Sequence, residues 1–147
     1  MRILICDDDK IFVSALRQNI TECFEKLEIA DYEIVEYYLG EDLLNDKGDK
    51  DIVFLDIEMP GKNGIYVGNK LKETYPKAIV IIVTSFSEYL DDAMKFSLFR
   101  YFNKPIDKDR LFRNLKDAIE VYTRINLNVM ILSLIHISEP TRLLSIS

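Results

Sequence analysis

Asp56 is where residue type and spacing first point to chemistry: the apolar run Ile52-Val53-Phe54-Leu55 delivers it onto the turn Ile57-Glu58-Met59-Pro60-Gly61. A strand fixes such a carboxylate in place, and its position at the strand end leaves it open to a ligand. Ile3-Leu4-Ile5-Cys6 runs in the same way into Asp7-Asp8-Asp9, Ile79 to Val83 runs into Thr84-Ser85, and Lys104-Pro105 closes a fourth segment. Acid, acid, hydroxyl and amine at four strand ends describe a site for a divalent metal and phosphate. Carboxylates supply hard oxygen ligands, and an ammonium compensates charge on a moving phosphoryl group. Each residue alone has a plainer reading, because Asp after a strand commonly caps a helix or shapes a turn. The four segments taken in order favour the site.

The elements that must position these groups follow from periodicity. Short, nearly unbroken apolar runs bounded by turn signals mark strands covered on both faces. Arg2 to Cys6, Ile52 to Leu55 and Ile79 to Val83 fit that description, while Tyr32 to Tyr37 and Arg100 to Asn103 complete a set of five strands. Between them lie helical patterns. Lys10 to Lys26 places Phe12, Ala15, Leu16, Ile20, Cys23 and Phe24 at three-and-four spacing behind Asp8 or Asp9 as cap. Further helices are predicted over Gly40–Asn45, Asn63–Tyr75, Ser87–Phe96 and Asp107–Tyr122. The alternation predicts an α/β fold, a doubly wound five-stranded parallel sheet with five helices. In such sheets ligands bind beyond the carboxyl ends of the strands, where Asp7, Asp8, Asp56, Thr84 and Lys104 all fall.

Composition narrows the function. The 147 residues suit one domain, and 48% hydrophobic with 30% charged residues argues against a disordered chain. A net charge of -6 argues against direct nucleic-acid binding, which needs clustered Lys and Arg. Cys6 and Cys23 read as buried thiols in a reducing compartment. Met1-Arg2 leads straight into a strand without a signal-peptide pattern, so a cytoplasmic location is expected. The apolar stretch Val129 to Ile137 is too short for a bilayer-spanning helix, and no membrane association is expected.

The combination Ile5-Cys6-Asp7-Asp8, Phe54-Leu55-Asp56-Ile57-Glu58-Met59-Pro60-Gly61, Val83-Thr84-Ser85 and Asn103-Lys104-Pro105 resembles the receiver domain of two-component response regulators, over about Met1 to Tyr122. The wording around Asp56, Thr84 and Lys104 is most similar to regulators that carry a LytTR DNA-binding domain. The resemblance implies the flavodoxin-like, CheY-like strand order 2-1-3-4-5. It implies Asp56 as phosphoacceptor, with Asp7 and Asp8 holding Mg²⁺ and Glu58 lending a backbone carbonyl. Thr84 and Lys104 would meet the phosphoryl group, Tyr101 would be the switch aromatic, and Pro105 would follow a cis peptide. A sensor histidine kinase would be the phosphoryl donor. The face of the fourth helix, last strand and fifth helix would change shape and could pair two receivers. DNA would be reached only through an output domain absent from this chain.

Physical chemistry explains the residue types. Three carboxylates at one sheet edge repel one another, so protons or a cation must neutralise them. Mg²⁺ prefers oxygen ligands and binds through one or two carboxylates plus phosphate oxygens. For Thr84 the plainer reading is an ordinary strand residue, and for Tyr101 a core aromatic. Phe12, one turn into the first helix, is either a kinase-docking contact or core.

Two further readings compete with the phosphoacceptor switch. One is a stand-alone receiver acting only by protein docking. The other is a Mg²⁺-dependent phosphatase with an Asp nucleophile, which usually shows Asp-x-Asp after the first strand, whereas Asp56-Ile57-Glu58 follows the third. The chain divides into a receiver domain over 1–124, the start of a linker over 125–131 and a tail over 132–147. The tail opens with LSLIHISEPTR, Leu132 to Arg142, which resembles the in-frame translation of a sequencing-library adapter. Under that reading nothing after Ile131 bears on function, and His136 is neither ligand nor catalyst. The alternative is a natural apolar tail.

Overall fold

The computed structural model describes residues 1–61, 63–85 and 98–138. Five strands form one sheet: β1 (Arg2–Cys6), β2 (Glu33–Tyr37), β3 (Ile52–Leu55), β4 (Ile79–Thr84) and β5 (Arg100–Asn103). All neighbours run parallel, in the order β2-β1-β3-β4-β5. Four helices lie among the described residues: α1 (Lys10–Lys26), α2 (Gly40–Asn45), α3 (Gly64–Thr74) and α4 (Lys108–Ser138). The helix predicted over Ser87–Phe96 lies outside them.

The unbroken apolar runs arise because successive side chains of a strand point to opposite faces and both faces are covered. Ile3, Ile5, Ile52, Phe54, Ile79, Ile81 and Val83 pack on one face with Val13, Leu16, Ile20 and Phe24 of α1 and Leu111, Leu115 and Ala118 of α4. Leu4, Cys6, Val53, Leu55, Val80 and Ile82 pack on the other with Leu43 of α2 and Val67 and Leu71 of α3. Each large apolar side chain removed from water in this way contributes about 1.5–3 kcal/mol before conformational entropy is counted.

Capping chemistry sets the helix starts. Asp9, not Asp8, caps α1, its side chain accepting from the amides of Ile11 and Phe12. Asn63 accepts from Tyr66 N–H at the start of α3. Asp107 accepts from the amides of Asp109 and Arg110 and so lies just outside the last helix.

The last helix does not end at Tyr122. It continues to Ser138 and takes in the stretch 125–131 expected as the start of a linker. No Gly or Pro occurs between Pro105 and Pro140, so the chain carries no stop signal there. Beyond Ile125 the helix leaves the core, and Leu127, Met130, Ile131, Leu132, Leu134 and Ile135 are exposed. By length and composition alone this helix satisfies the requirement for a bilayer span. Its first turns instead pack on the sheet through Leu111, Leu115, Ala118 and Ile119.

A polar network fastens β1 to the segment before β3. Asp46 accepts from Arg2 Nη1 at 2.9 Å, Lys50 Nζ at 3.0 Å and the Gly48 amide at 2.7 Å, and from the Tyr37 hydroxyl. The Lys50 side chain is 0% exposed. Its ammonium also donates to the carbonyls of Asp46 and Gly48 and lies over the Tyr75 ring.

Candidate functional site

Strand register places the acids. Cys6 pairs with Leu55, so the residues that follow, Asp7 and Asp56, leave the sheet side by side, and Asp56 N–H donates to Cys6 O at 3.0 Å. Asp7, Asp8 and Asp56 each offer an oxygen within 4.8 Å of the others. Asp7 and Asp56 are buried at 2% and 6% exposure, while Asp8 is exposed. Behind them, Gly64 closes the turn through its amide to Ile57 O at 2.7 Å. A Cβ at Gly64 would lie 2.0 Å from the Asp56 carbonyl oxygen, so this close approach of α3 to β3 requires glycine. Gly61 adopts φ 77° in the same turn.

Lys104 reaches this cluster from the end of β5, where its amide donates to Thr84 O at 3.1 Å. Its Nζ lies 2.7 Å from Asp7 Oδ2 and 3.4 Å from Asp56 Oδ2. Burial works against the Lys104 charge, but Asp7 and Asp56 outweigh it and hold the ammonium pKa up. Burial likewise pushes the Asp7 carboxyl up, with Asp56 adding, against the opposing pull of Lys104 and the Asp9 amide. Beneath the acids, burial and then Asp7 and Asp56 push the Cys6 thiol up to about 12, so it stays protonated.

The donor set suits a hard divalent cation. Among the described residues, Asp7 Oδ2 is buried without an aligned hydrogen bond and has its ion pair with Lys104 as partner. A cation at the three carboxylates would satisfy that oxygen and relieve the repulsion.

Of the remaining expected residues, Thr84, Glu58 and Phe12 adjoin Lys104 or Asp56. Thr84 is fully buried at the end of β4, and the register pairs it with Asn103, next to Lys104. Glu58 is exposed, and its amide donates to Asp56 Oδ1 at 3.3 Å. Tyr101 on β5 is 42% exposed, with its carbonyl held by Arg110 Nη2 at 3.0 Å. The Lys104–Pro105 peptide is cis. Phe12 is half-buried, and its ring centroid lies 4.3 Å from Lys104 Nζ. Sequence periodicity offered docking or core for Phe12 and no signal for that contact. A cleft lined by Tyr75, Pro76, Tyr122 and Ile125 lies at the other edge of the sheet, away from the carboxylates.

Residues 3–116 match the family model for the response regulator receiver domain. The chain belongs to this family. The sensory transduction protein LytT of Bacillus subtilis is 25% identical over 130 residues, which are 88% of this chain and 51% of that protein. The chain thus spans about half the length of the LytT regulators it matches. The chemotaxis protein CheY of Halobacterium salinarum is 30% identical over 80% of this receiver and 96% of its own length. Among solved structures, the response regulator TrrA of Thermotoga maritima, in complex with Mg(2+)-BeF, aligns with TM-score 0.69 and 30% identity. That alignment covers 80% of this chain and 97% of the other.

Proposed function

We propose that this receiver is a phosphoacceptor switch that takes a phosphoryl group from a sensor histidine kinase onto Asp56. The observation that carries the reading is the convergence of Asp56, Asp7 and Asp8 with the Lys104 ammonium, which lies within ion-pair distance of both buried acids. An oxygen of Asp56 attacks phosphorus and forms the new O–P bond. The P–N bond to the kinase histidine breaks, and the departing imidazole keeps the electron pair and takes up a proton. In-line transfer of this kind needs alignment and charge compensation more than covalent chemistry. Asp7, Asp8 and Asp56, with the Glu58 carbonyl, would hold Mg²⁺. When bound, that ion neutralises the carboxylates and the phosphoryl oxygens. Lys104 supplies a second positive charge beside Asp7 and Asp56, and later hydrolysis of the acyl phosphate resets the switch.

The buried Thr84 hydroxyl would then turn toward the phosphoryl oxygens, and the half-exposed Tyr101 would move into the space it leaves. Such motion is a two-state element biased by local charge. It would reshape the face of β5, α4 and the helix predicted over Ser87–Phe96, a surface suited to pairing two receivers. The chain spans about half the length of the LytT regulators, which supports a receiver joined to an output domain, and the resemblance to LytTR-type regulators makes DNA the target of that output. The match to CheY over 96% of that protein favours a second reading, a stand-alone receiver that acts by docking.

Incubation with acetyl phosphate and MgCl2 tests the core of the proposal. One acid-stable, base-labile phosphate per chain is expected, absent from Asp56→Asn. Stoichiometric uptake by Asp56→Asn would move the acceptor elsewhere, and turnover of many equivalents in steady state would favour a phosphatase.

A further inference from the structure

Lys104 must keep its charge aimed at the carboxylate cluster although its stem is flexible and water is near. A lysine side chain has many accessible rotamers, and its ammonium is a strongly hydrated point charge. Asp7 and Asp56 attract it from one side. Once those carboxylates share their charge with a cation, that attraction weakens. Something else must then hold the side chain in place.

The contacts around Phe12 supply it. Asp7 Oδ1 accepts from the Asp9 amide at 2.9 Å, and Asp9 Oδ1 accepts from the Phe12 amide at 3.1 Å. The Phe12 ring lies 4.3 Å from Lys104 Nζ, and Lys104 Nζ returns to Asp7 Oδ2 at 2.7 Å. These four links close on themselves. The helix cap therefore fixes the ring relative to the same carboxylate that pairs with the ammonium. A cation 4.3 Å from a ring centroid lies within the range where the ring quadrupole attracts it. The Lys104 side chain is only 19% exposed, which strengthens that attraction.

We infer that Phe12 is a positioning residue for phosphoryl transfer: its ring holds the Lys104 ammonium toward Asp7 and Asp56. This rests on the assignment of Asp56 as acceptor. The ring acts at a stage that precedes any partner, so its effect should appear with a small donor and no kinase.

The test is the rate of phosphate uptake from acetyl phosphate at fixed MgCl2, where an Asp56 oxygen displaces acetate from phosphorus. Phe12 is replaced by mono-, di- and trifluorophenylalanine, which keep the ring's shape while draining its quadrupole. The rate is expected to fall stepwise along the series, by about three- to thirtyfold in total. Phe12→Leu should fall by a similar factor and Phe12→Tyr should recover most of the loss. A flat fluorination series overturns the inference, and so does a loss confined to transfer from a kinase, which would make Phe12 a docking residue. Should Phe12→Leu fail to fold, the fluorinated series still decides. Asp56→Asn is run in parallel: uptake there sinks the acceptor assignment, whereas an inert Asp56→Asn with a flat series sinks only the role of Phe12.

Discussion

Lys104 Nζ lies 2.7 Å from Asp7 Oδ2, closer than to the proposed phosphoacceptor at 3.4 Å. The ammonium therefore stands where a divalent cation at the three acids would feel its repulsion. Lys104→Met should tighten Mg²⁺ binding about fivefold, equivalent to about 1 kcal/mol, while slowing phosphate uptake. Titration calorimetry checks the first effect and uptake from acetyl phosphate the second. Weaker Mg²⁺ binding in the variant would show that Lys104 organises the acids more than it competes for them.

Gly64 allows the start of α3 to press against the backbone of Asp56. A methyl group there would meet the Asp56 carbonyl oxygen at 2.0 Å and force the helix away. Gly64→Ala should cost about 2 kcal/mol in urea denaturation and also slow phosphate uptake, because the turn that carries Asp56 shifts with it. A fully active, fully stable variant would mean that the turn yields without strain.

The Asp46 network should dominate the acid sensitivity of stability away from the site. The Arg2 guanidinium first, then the Tyr37 hydroxyl, Lys50 and the Gly48 amide, hold the Asp46 carboxyl well below the usual carboxylate range despite burial. Above about pH 4, both folded and unfolded chains carry this group ionised, and its full contribution is present. Below that pH the unfolded chain takes up the proton first, so the contribution shrinks as pH falls. Asp46→Asn leaves the buried Lys50 without its counter-charge and should cost about 3 kcal/mol at neutral pH. The gap between wild type and variant should narrow on acidification, as urea midpoints near pH 6 and pH 3 would reveal. Comparing the two proteins removes the opposite trend of Asp7, whose raised pKa makes its ionisation a cost at neutral pH.

Residues 132–147 should be dispensable for the fold. Leu132 and Leu134 are 61% and 57% exposed and belong to neither core cluster of the described residues. The urea midpoint should stay within about 0.5 kcal/mol of the full chain. Light scattering should fall, because contiguous exposed apolar surface promotes association. A large loss of stability on truncation would show that the segment packs on the domain.

The strands, and the strand-end positions of the candidate site residues, are readable for the same reason. Burial on both faces forces unbroken apolar runs, and those runs end at Cys6, Leu55 and Thr84, where the polar groups begin. Helix ends were less readable. Asp8 and Asp9 are both competent caps, and only the backbone decides that Asp9 serves. The continuation of α4 past Tyr122 follows from missing stop signals, which are weaker cues than Gly or Pro. The Asp46 network was invisible in the sequence, because Asp46-Lys47-Gly48-Asp49-Lys50-Asp51 has the composition of a solvated loop. Its main partner, Arg2, lies 44 residues away. Phe12 fell on the helical stripe and was read as core or docking. Stripe membership says nothing about a cation arriving from the far end of β5.

The pairing of Cys6 with Leu55 has a consequence for how freely this protein can diverge. Main-chain bonds, indifferent to side-chain identity, set the spacing of Asp7 and Asp56, and the rest of both strands can be repainted with other apolar residues without disturbing it. Descendants could then rewrite the outer helices for new signalling clients while the acidic edge passes down unaltered.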